Sequence, residues 1–361
     1  MTRSEIEDRM TELKMAGSIT NFTTTRKNLP AALELVFDAM HNSIMPQDEF
    51  DQFKKQMQVM IESMRDKPDA LAQNAITQHF NTYPKGDPRY EYSLDESLEQ
   101  LNKLTVDQVR AFYKEFGGTS RGEISIVGDF DPKAVEKIIR DDYAKYVSKA
   151  HYAPVVTEYR PVKATRVVID TPDKENAIIV ARSVFPINDT APDAPALTVA
   201  NWILGGGTGL SNRLIERLRQ KEGLSYGAGS RVRIPAKGDN GSFVFRAIVA
   251  PQNMLQAEAS ARDVIAKAIK DGFTDQEVEE AKKGLLQAMQ VARSQDDVVA
   301  RSWNDKMENQ RTWVFSKKQA EAISKLTTAD VNAALRKYIK PDEITFVLAG
   351  DQKKAAQKKQ D

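Results

Sequence analysis

Arg219 and Tyr226 stand seven residues apart in the stretch GGGTGLSNRLIERLRQKEGLSYG, residues 205–227. A guanidinium stays charged across the physiological range, and a phenol is a neutral hydrogen-bond donor at pH 7. Facing one cavity, the two suit a site that grips a carbonyl or an oxyanion. Gly205, Gly206, Gly207 and Gly209 run just ahead of them. Those glycines leave three readings: backbone that cradles an anion, a plain connection between helices, or Cβ-free backbone that an extended ligand can approach closely. A nucleotide phosphate loop is disfavoured, because the lysine of GxxxxGK[ST] is absent and the loop follows a helix rather than a strand.

Placing Arg219 and Tyr226 on one cavity requires a helix, a stop and a strand. Ser211 is the expected N-cap, with Leu214, Ile215 and Leu218 as the buried stripe. Arg219 and Lys221 fall in the last turn, where a cation complements the helix dipole. Gly223 ends the helix, and Tyr226 falls on a strand expected over residues 224–234. The dipole role is a second account of Arg219, and an ordinary strand aromatic is a second account of Tyr226.

Metal chemistry lacks donors. The three histidines, His41, His79 and His151, show no HxxEH, HExxH or HxH spacing, and cysteine is absent. A zinc site needs several N, O or S ligands to converge. No metal site is therefore expected in this chain. His41 and His79 read as surface or half-buried helix residues, and His151 falls in a linker.

The elements around the Arg/Tyr segment occur twice. LTVDQVRAFYKEF with EISIVGD (residues 104–129) resembles LTTADVNAALRKY with EITFVLAGD (residues 326–351), 222 positions on. Each pairs a helix, capped by Thr105 or Thr327, with an apolar strand ending in Gly-Asp. Upstream, residues 45–73 resemble residues 273–301, each a long amphipathic helix, a polar break and another helix. The second copy also has a front piece: strands at 165–171 and 177–184 and a buried helix at 194–204. Further strands are expected at 224–234, 241–250 and 344–349, the first two joined as a hairpin through PAKGDN. The first copy has no such front, since residue 1 aligns with the helix starting near Ser211. The chain is accordingly expected to be part of a longer protein. Residues 1–147 form an incomplete first repeat, 148–163 a linker containing Pro154 and Pro161, 164–351 a complete second repeat, and 352–361 a disordered tail. The fold class is α+β: two homologous domains, each a mainly antiparallel sheet backed by helices, the first incomplete at its N-terminal side.

Bulk composition narrows the function classes. At 361 residues the chain fits two domains. Its 41% hydrophobic and 29% charged residues describe a globular protein. A net charge of +1 gives no electrostatic case for nucleic acid or an anionic membrane. No run of eighteen apolar residues occurs, so no membrane insertion is expected. The N-terminus, MTRSEIEDRMTELK, is polar and helical and does not have the pattern of a signal peptide. Without cysteine there is no disulfide, which says little of the compartment.

Residues 205–227 and the duplicated unit together resemble the insulinase/pitrilysin-type zinc peptidases, the inverzincins, which include mitochondrial processing peptidase. The resemblance covers nearly the whole chain. Arg217, Leu218, Arg219, Glu222, Gly223, Leu224, Tyr226 and Gly227 match the family segment RLRxKEGLxYG. NLPAALEL (residues 28–35) and YPKGDPRY (residues 83–90) are similar to the third domain of long bacterial members. The resemblance implies two α+β domains forming one half of a clamshell around a peptide. It implies a zinc bound by HxxEH and a later Glu in the other half, with Arg219 gripping a substrate carbonyl or helping to fix the backbone and Tyr226 donating to the tetrahedral oxyanion. Gly205, Gly206 and Gly207 would lie along an extended substrate. The chain departs from the pattern by lacking HxxEH, and Glu62 falls only roughly where a third zinc ligand would. The expectation is the C-terminal, zinc-free half of a zinc endopeptidase-like protein, inactive alone. No cofactor is expected in this chain, and zinc is expected in the full-length protein or a partner. Expected partners are a peptide and an N-terminal zinc-bearing half or partner subunit. The alternative is a non-catalytic peptide-binding or scaffold subunit of the same family, and a third reading is a half-length subunit whose own front carries HxxEH. Exported long members of the family point to the periplasm.

Overall fold

The computed structural model describes residues 1–207 and 212–357. Along the chain come α1 (Arg3–Glu12), a short hairpin of β1 (Ala16–Ser18) and β2 (Asn21–Thr23), α2 (Leu29–His41), α3 (Gln47–Met64), α4 (Pro68–His79), α5 (Leu94–Lys103), α6 (Val106–Phe116) and α7 (Pro132–Asp141). After them come β3 (Arg166–Asp170), β4 (Ala177–Pro186), α8 (Ala194–Asn201), α9 (Arg213–Ile215), β5 (Ser225–Arg233), β6 (Asn240–Val249), α10 (Met254–Asp271), α11 (Asp275–Ala292), α12 (Asp296–Glu308), α13 (Trp313–Lys325), α14 (Thr328–Tyr338), β7 (Thr345–Gly350) and α15 (Gln352–Gln357). From α9 onward the second series repeats the first almost element for element. The caps repeat as well. Thr105 and Thr327 each accept from the third helical N–H, and Gln108 and Asp330 answer with a bond to the cap backbone.

Two compact units emerge, and neither is a single run of sequence. Unit 1 comprises Met1–Met60, Ser97–Pro154 and Ala292–Gln310; unit 2 comprises Ile61–Glu96, Val155–Val291 and Arg311–Asp361. The first repeat thus gives α4 to unit 2, and the second gives α12 to unit 1.

Unit 2 is built on a five-stranded sheet in the order β3-β7-β4-β6-β5. Only β3 and β7 run parallel; the other pairs are antiparallel. The centre of the sheet is set by burial on both faces, since every residue of β7 and nearly every residue of β4 is buried. On one face Phe243, Phe245, Phe346 and Leu348 pack into a large core with α8, α10 and α14. Each such phenylalanine, removed from water, contributes on the order of 2–3 kcal/mol. On the other face α4, opened by Pro68 at its first position, lays Ala72 and Ile76 on Ile178, Val180, Val347 and Ala349.

Unit 1 is helical with a small core of Leu13, Met15, Ala32, Leu35, Val36 and Tyr143. The buried Tyr143 hydroxyl donates to the Leu33 carbonyl at 2.5 Å, and burial raises its pKa to about 12.

Two expectations need correction. Residues 123–127, read as the first repeat's apolar strand, form no strand. Among the described residues the only ladder of that unit is the β1–β2 hairpin, so this segment has no sheet to join. Residues 352–357, read from their charge run as part of a disordered tail, form α15, with Ala355 buried and Asp351 accepting from the Lys354 N–H at the helix start. Residues 358–361 lie outside the described residues. None of the described helices is long and apolar enough to cross a membrane.

Candidate functional site

The Arg/Tyr segment folds on unit 2 as helix, turn and edge strand. Asn212 caps α9 by accepting from the Ile215 N–H at 2.9 Å. Ser211, expected as that cap, and Gly209 lie outside the described residues. The helix continues as a π-helical stretch, Glu216–Lys221, burying Leu218. Wide turns of this kind recur at functional sites. The stop is firm: the Gly223 N–H bonds the Arg219 carbonyl at 3.2 Å, and the Leu224 N–H bonds the Leu218 carbonyl at 2.8 Å. Gly223 itself sits at φ +61°, a left-handed conformation that glycine adopts without penalty.

Strand β5 begins irregularly. The β5–β6 register pairs Ser225 with Val249 and Gly227 with Ile248, leaving Tyr226 as the extra residue of a bulge. The Ser225 hydroxyl locks this bulge by donating toward the Gly227 and Ile248 carbonyls and accepting from the Gly227 N–H. Tyr226 is thrown out to 67% exposure. The bulge is absent from the sequence expectation of a regular strand; Gly227 inside a strand pattern was its signal.

The segment's three arginines now separate. Arg213 grips Glu277 through two bonds of 2.7 and 2.8 Å, donates to the Gly272 carbonyl and lies over Phe273. Burial works to raise the Glu277 pKa, but Arg213 and Thr274 together hold it below the usual carboxylate value. Arg217 pairs with Glu222, whose other oxygen accepts from Ser260 Oγ at 2.6 Å. Arg219 is exposed, and its side chain makes no hydrogen bond or ion pair among the described residues. Arg213 and Arg217 build the scaffold. Arg219 and Tyr226 are left for something else, and no bond joins their side chains to each other.

Gly205, Gly206 and Gly207 have packing reasons of their own. They fall on and just after a π-helical stretch, Trp202–Gly206. A Cβ on Gly205 would lie 2.6 Å from Ser230 Oγ and 2.7 Å from Leu214 Cδ1. One on Gly206 would meet Asn201 Nδ2 at 2.3 Å, and one on Gly207 would meet the Trp202 carbonyl at 3.0 Å. Asn201 fastens this backbone to β5, its Oδ1 accepting from Ser230 Oγ at 2.8 Å. The glycine run is thus clamped to the strand that carries Tyr226.

The described residues do not fit a metal: no group of three or more His, Cys, Asp or Glu side chains could hold one. His41 packs between Phe37 and Tyr146 in unit 1, while His79 in unit 2 bonds the Lys163 carbonyl at 2.9 Å. Glu62 pairs with Arg65 at 3.1 Å. The YPKGDPRY phrase forms a folded loop, with Tyr83 sandwiched between the guanidinium groups of Arg89 and Arg160, 4.0 and 4.2 Å from its ring centre. Arg89 in turn holds Asp87 through bonds of 2.7 and 2.8 Å.

Against known proteins, residues 103–285 match the family model described as the peptidase M16 inactive domain, which covers half of the chain. The chain belongs to the peptidase M16 family. An uncharacterized zinc protease of Mycobacterium bovis is 24% identical over 297 residues, covering 79% of this chain and 66% of the relative. A Helicobacter pylori relative called a non-peptidase homolog is 21% identical over 259 residues, covering 71% of this chain and 58% of the relative. The M16 chain therefore spans less than two thirds of these relatives' length. The fold matches a peptidase M16 inactive domain from Pseudomonas fluorescens with a TM-score of 0.79 at 21% identity, over 97% of this chain and 84% of that one. It matches the periplasmic protease PqqL of Escherichia coli with a TM-score of 0.67 at 16% identity, over 97% of this chain but 39% of PqqL. This is an inactive domain of proteins resembling zinc proteases, with an α+β fold in which a sheet is backed by helices.

Proposed function

We propose that this chain is the zinc-free, substrate-holding part of an M16 endopeptidase whose zinc site lies in another part of the protein or in a partner. The observation that carries this reading is the contrast within residues 213–226. Two arginines are consumed by ion pairs, while Arg219 is left exposed and Tyr226 is ejected by a hydroxyl-locked bulge. At 67% Tyr226 is more exposed than Tyr92, Tyr113 or Tyr152. Arg219 grips a carbonyl of an extended peptide, and the Tyr226 hydroxyl donates to the oxygen that gains charge as the peptide bond is attacked. The backbone of Gly205–Gly207 and the edge strand β5 lie along the peptide, which binds by adding a strand. No zinc-dependent step is assigned to this chain, because its described residues offer no ligand set.

The test is kinetic and uses the assembly that contains both this chain and the zinc site. Tyr226→Phe should lower kcat for peptide cleavage at least tenfold with zinc content unchanged, since loss of one such donor costs about 100- to 1,000-fold in favourable cases. Unchanged turnover would reject the oxyanion role.

A second reading, a peptide-binding or scaffold subunit without catalysis, is favoured by the Helicobacter pylori relative named as a non-peptidase homolog. It predicts peptide binding with no cleavage in any assembly.

A further inference from the structure

The face of the unit 2 sheet that carries α4 is apolar under that helix and cationic beyond it. Strand register puts Arg182 of β4, Arg246 of β6, and Arg231 and Arg233 of β5 on this one face. Arg182 pairs with Val244, Arg231 with Val244, Arg233 with Ser242, and Arg246 with Gly229. Residues two apart on a strand share a face, so the four side chains form one patch. The chain as a whole carries only +1, so the patch is a local concentration of charge.

Its charges are poorly answered from within. Asp69 takes Arg246 at 2.7 Å. Arg182 is half-buried; its Nε is sealed from solvent with no hydrogen-bond partner, and its guanidinium lies over the Phe80 ring at 4.8 Å. Burial and then the nearby charge of Arg233 push its pKa down, with Glu91 pulling weakly the other way. Arg231 and Arg233 are exposed, and their side chains make no hydrogen bond or ion pair among the described residues. Like charges held side by side cost free energy, and an anion docked beside Arg231 and Arg233 relieves that cost.

The strand that carries Arg231 and Arg233 is β5, the edge of the sheet and the bearer of Tyr226. A peptide added along that edge places every second side chain on the arginine face. At about 3.4 Å per residue, the arginines lie about 17–24 Å along the strand from Tyr226. We propose that Arg231 and Arg233 select extended peptides with Asp or Glu at alternate positions, five to seven residues from the backbone carbonyl that reaches Tyr226. This names a substrate class for the proposed peptide-holding role and rests on its strand-addition mode.

The experiment uses the full chain and two fluorescein-labelled twelve-residue peptides that differ only in Glu or Gln at three alternate positions, with binding read by anisotropy. The Glu peptide should bind about tenfold tighter at low salt, as expected for two exposed charge pairs, and the advantage should fade as salt rises. Arg231→Gln with Arg233→Gln, both surface changes whose folding is checked by thermal melting, should erase the difference between the peptides. Equal affinities in the unchanged chain, or a difference that survives the double substitution, would overturn the acidic preference while leaving the Tyr226 role standing on its own kinetic test. If neither peptide binds, strand addition on β5 is overturned, and the acidic preference with it.

Discussion

At the residue scale, the chain spends most of its chemistry-bearing groups on holding itself together. Arg213 and Arg217 match Arg219 in kind, yet each is locked to a carboxylate. Sequence alone could not make that division, because Glu277 finds Arg213 across 64 residues, and Glu222 meets Arg217 five residues away only through the π-helical turn. Glu258 is a clearer structural ion. It is buried, and Arg166 from β3 and Arg262 from α10 bond it at 2.7–3.0 Å. Burial works to raise its pKa, but the two arginines outweigh this and hold it below the ordinary value. A lowered folded pKa gives stability that is present above the unfolded carboxylate value and is lost as pH falls through the folded one. Acid melts should therefore show unit 2 weakening below about pH 4. Glu258→Gln should destabilise it by about 2 kcal/mol at neutral pH and flatten that acid limb. Tyr143 gives the opposite sign. Its raised pKa adds stability that is full below the unfolded tyrosine value of about 10 and is lost as pH rises toward 12. Tyr143→Phe should cost about 1 kcal/mol at pH 7 and remove that alkaline dependence.

At the element scale, much was legible. The five strands of the second repeat and both Thr-capped helices were readable, because period-two apolar runs and S/T-x-x-polar starts are local signals. The bulge at Tyr226, for which Gly227 was the one local signal, the π-helical stretches and the clamping of Gly205 against Ser230 were not. Gly205 and Gly223 separate steric from backbone cost. Gly205→Ala drives a methyl into Ser230 and Leu214 and should cost about 1–3 kcal/mol in chemical denaturation. Gly223→Ala meets nothing within 4 Å, so its cost comes from the left-handed backbone alone, about 1 kcal/mol. Because Gly223 sets the reversal between Arg219 and Tyr226, that variant should also weaken any shared grip on a peptide more than it weakens the fold.

At the scale of the whole molecule, the repeat explains both the likeness and the inequality of the two units. The helix α6 shows Phe112, Tyr113 and Phe116 to solvent, whereas the matching α14 positions Ala334, Leu335 and Tyr338 are buried against the sheet's core. The duplication was visible in the sequence, but which helix joins which unit was not, because α4 and α12 read as ordinary members of their own repeats. With a far smaller core, unit 1 should exchange its amide hydrogens at lower free energy than unit 2, the slowest amides falling in β4, β6 and β7. In the proposed role this chain supplies half of a site. The most direct test compares peptide cleavage by the chain alone with cleavage by the same chain joined to its zinc-bearing counterpart. The chain alone should show no bound zinc and no cleavage, and the pair should show cleavage that Tyr226→Phe cuts at least tenfold without loss of zinc. Stoichiometric zinc and turnover in the chain alone, or a pair indifferent to Tyr226→Phe, would contradict that role.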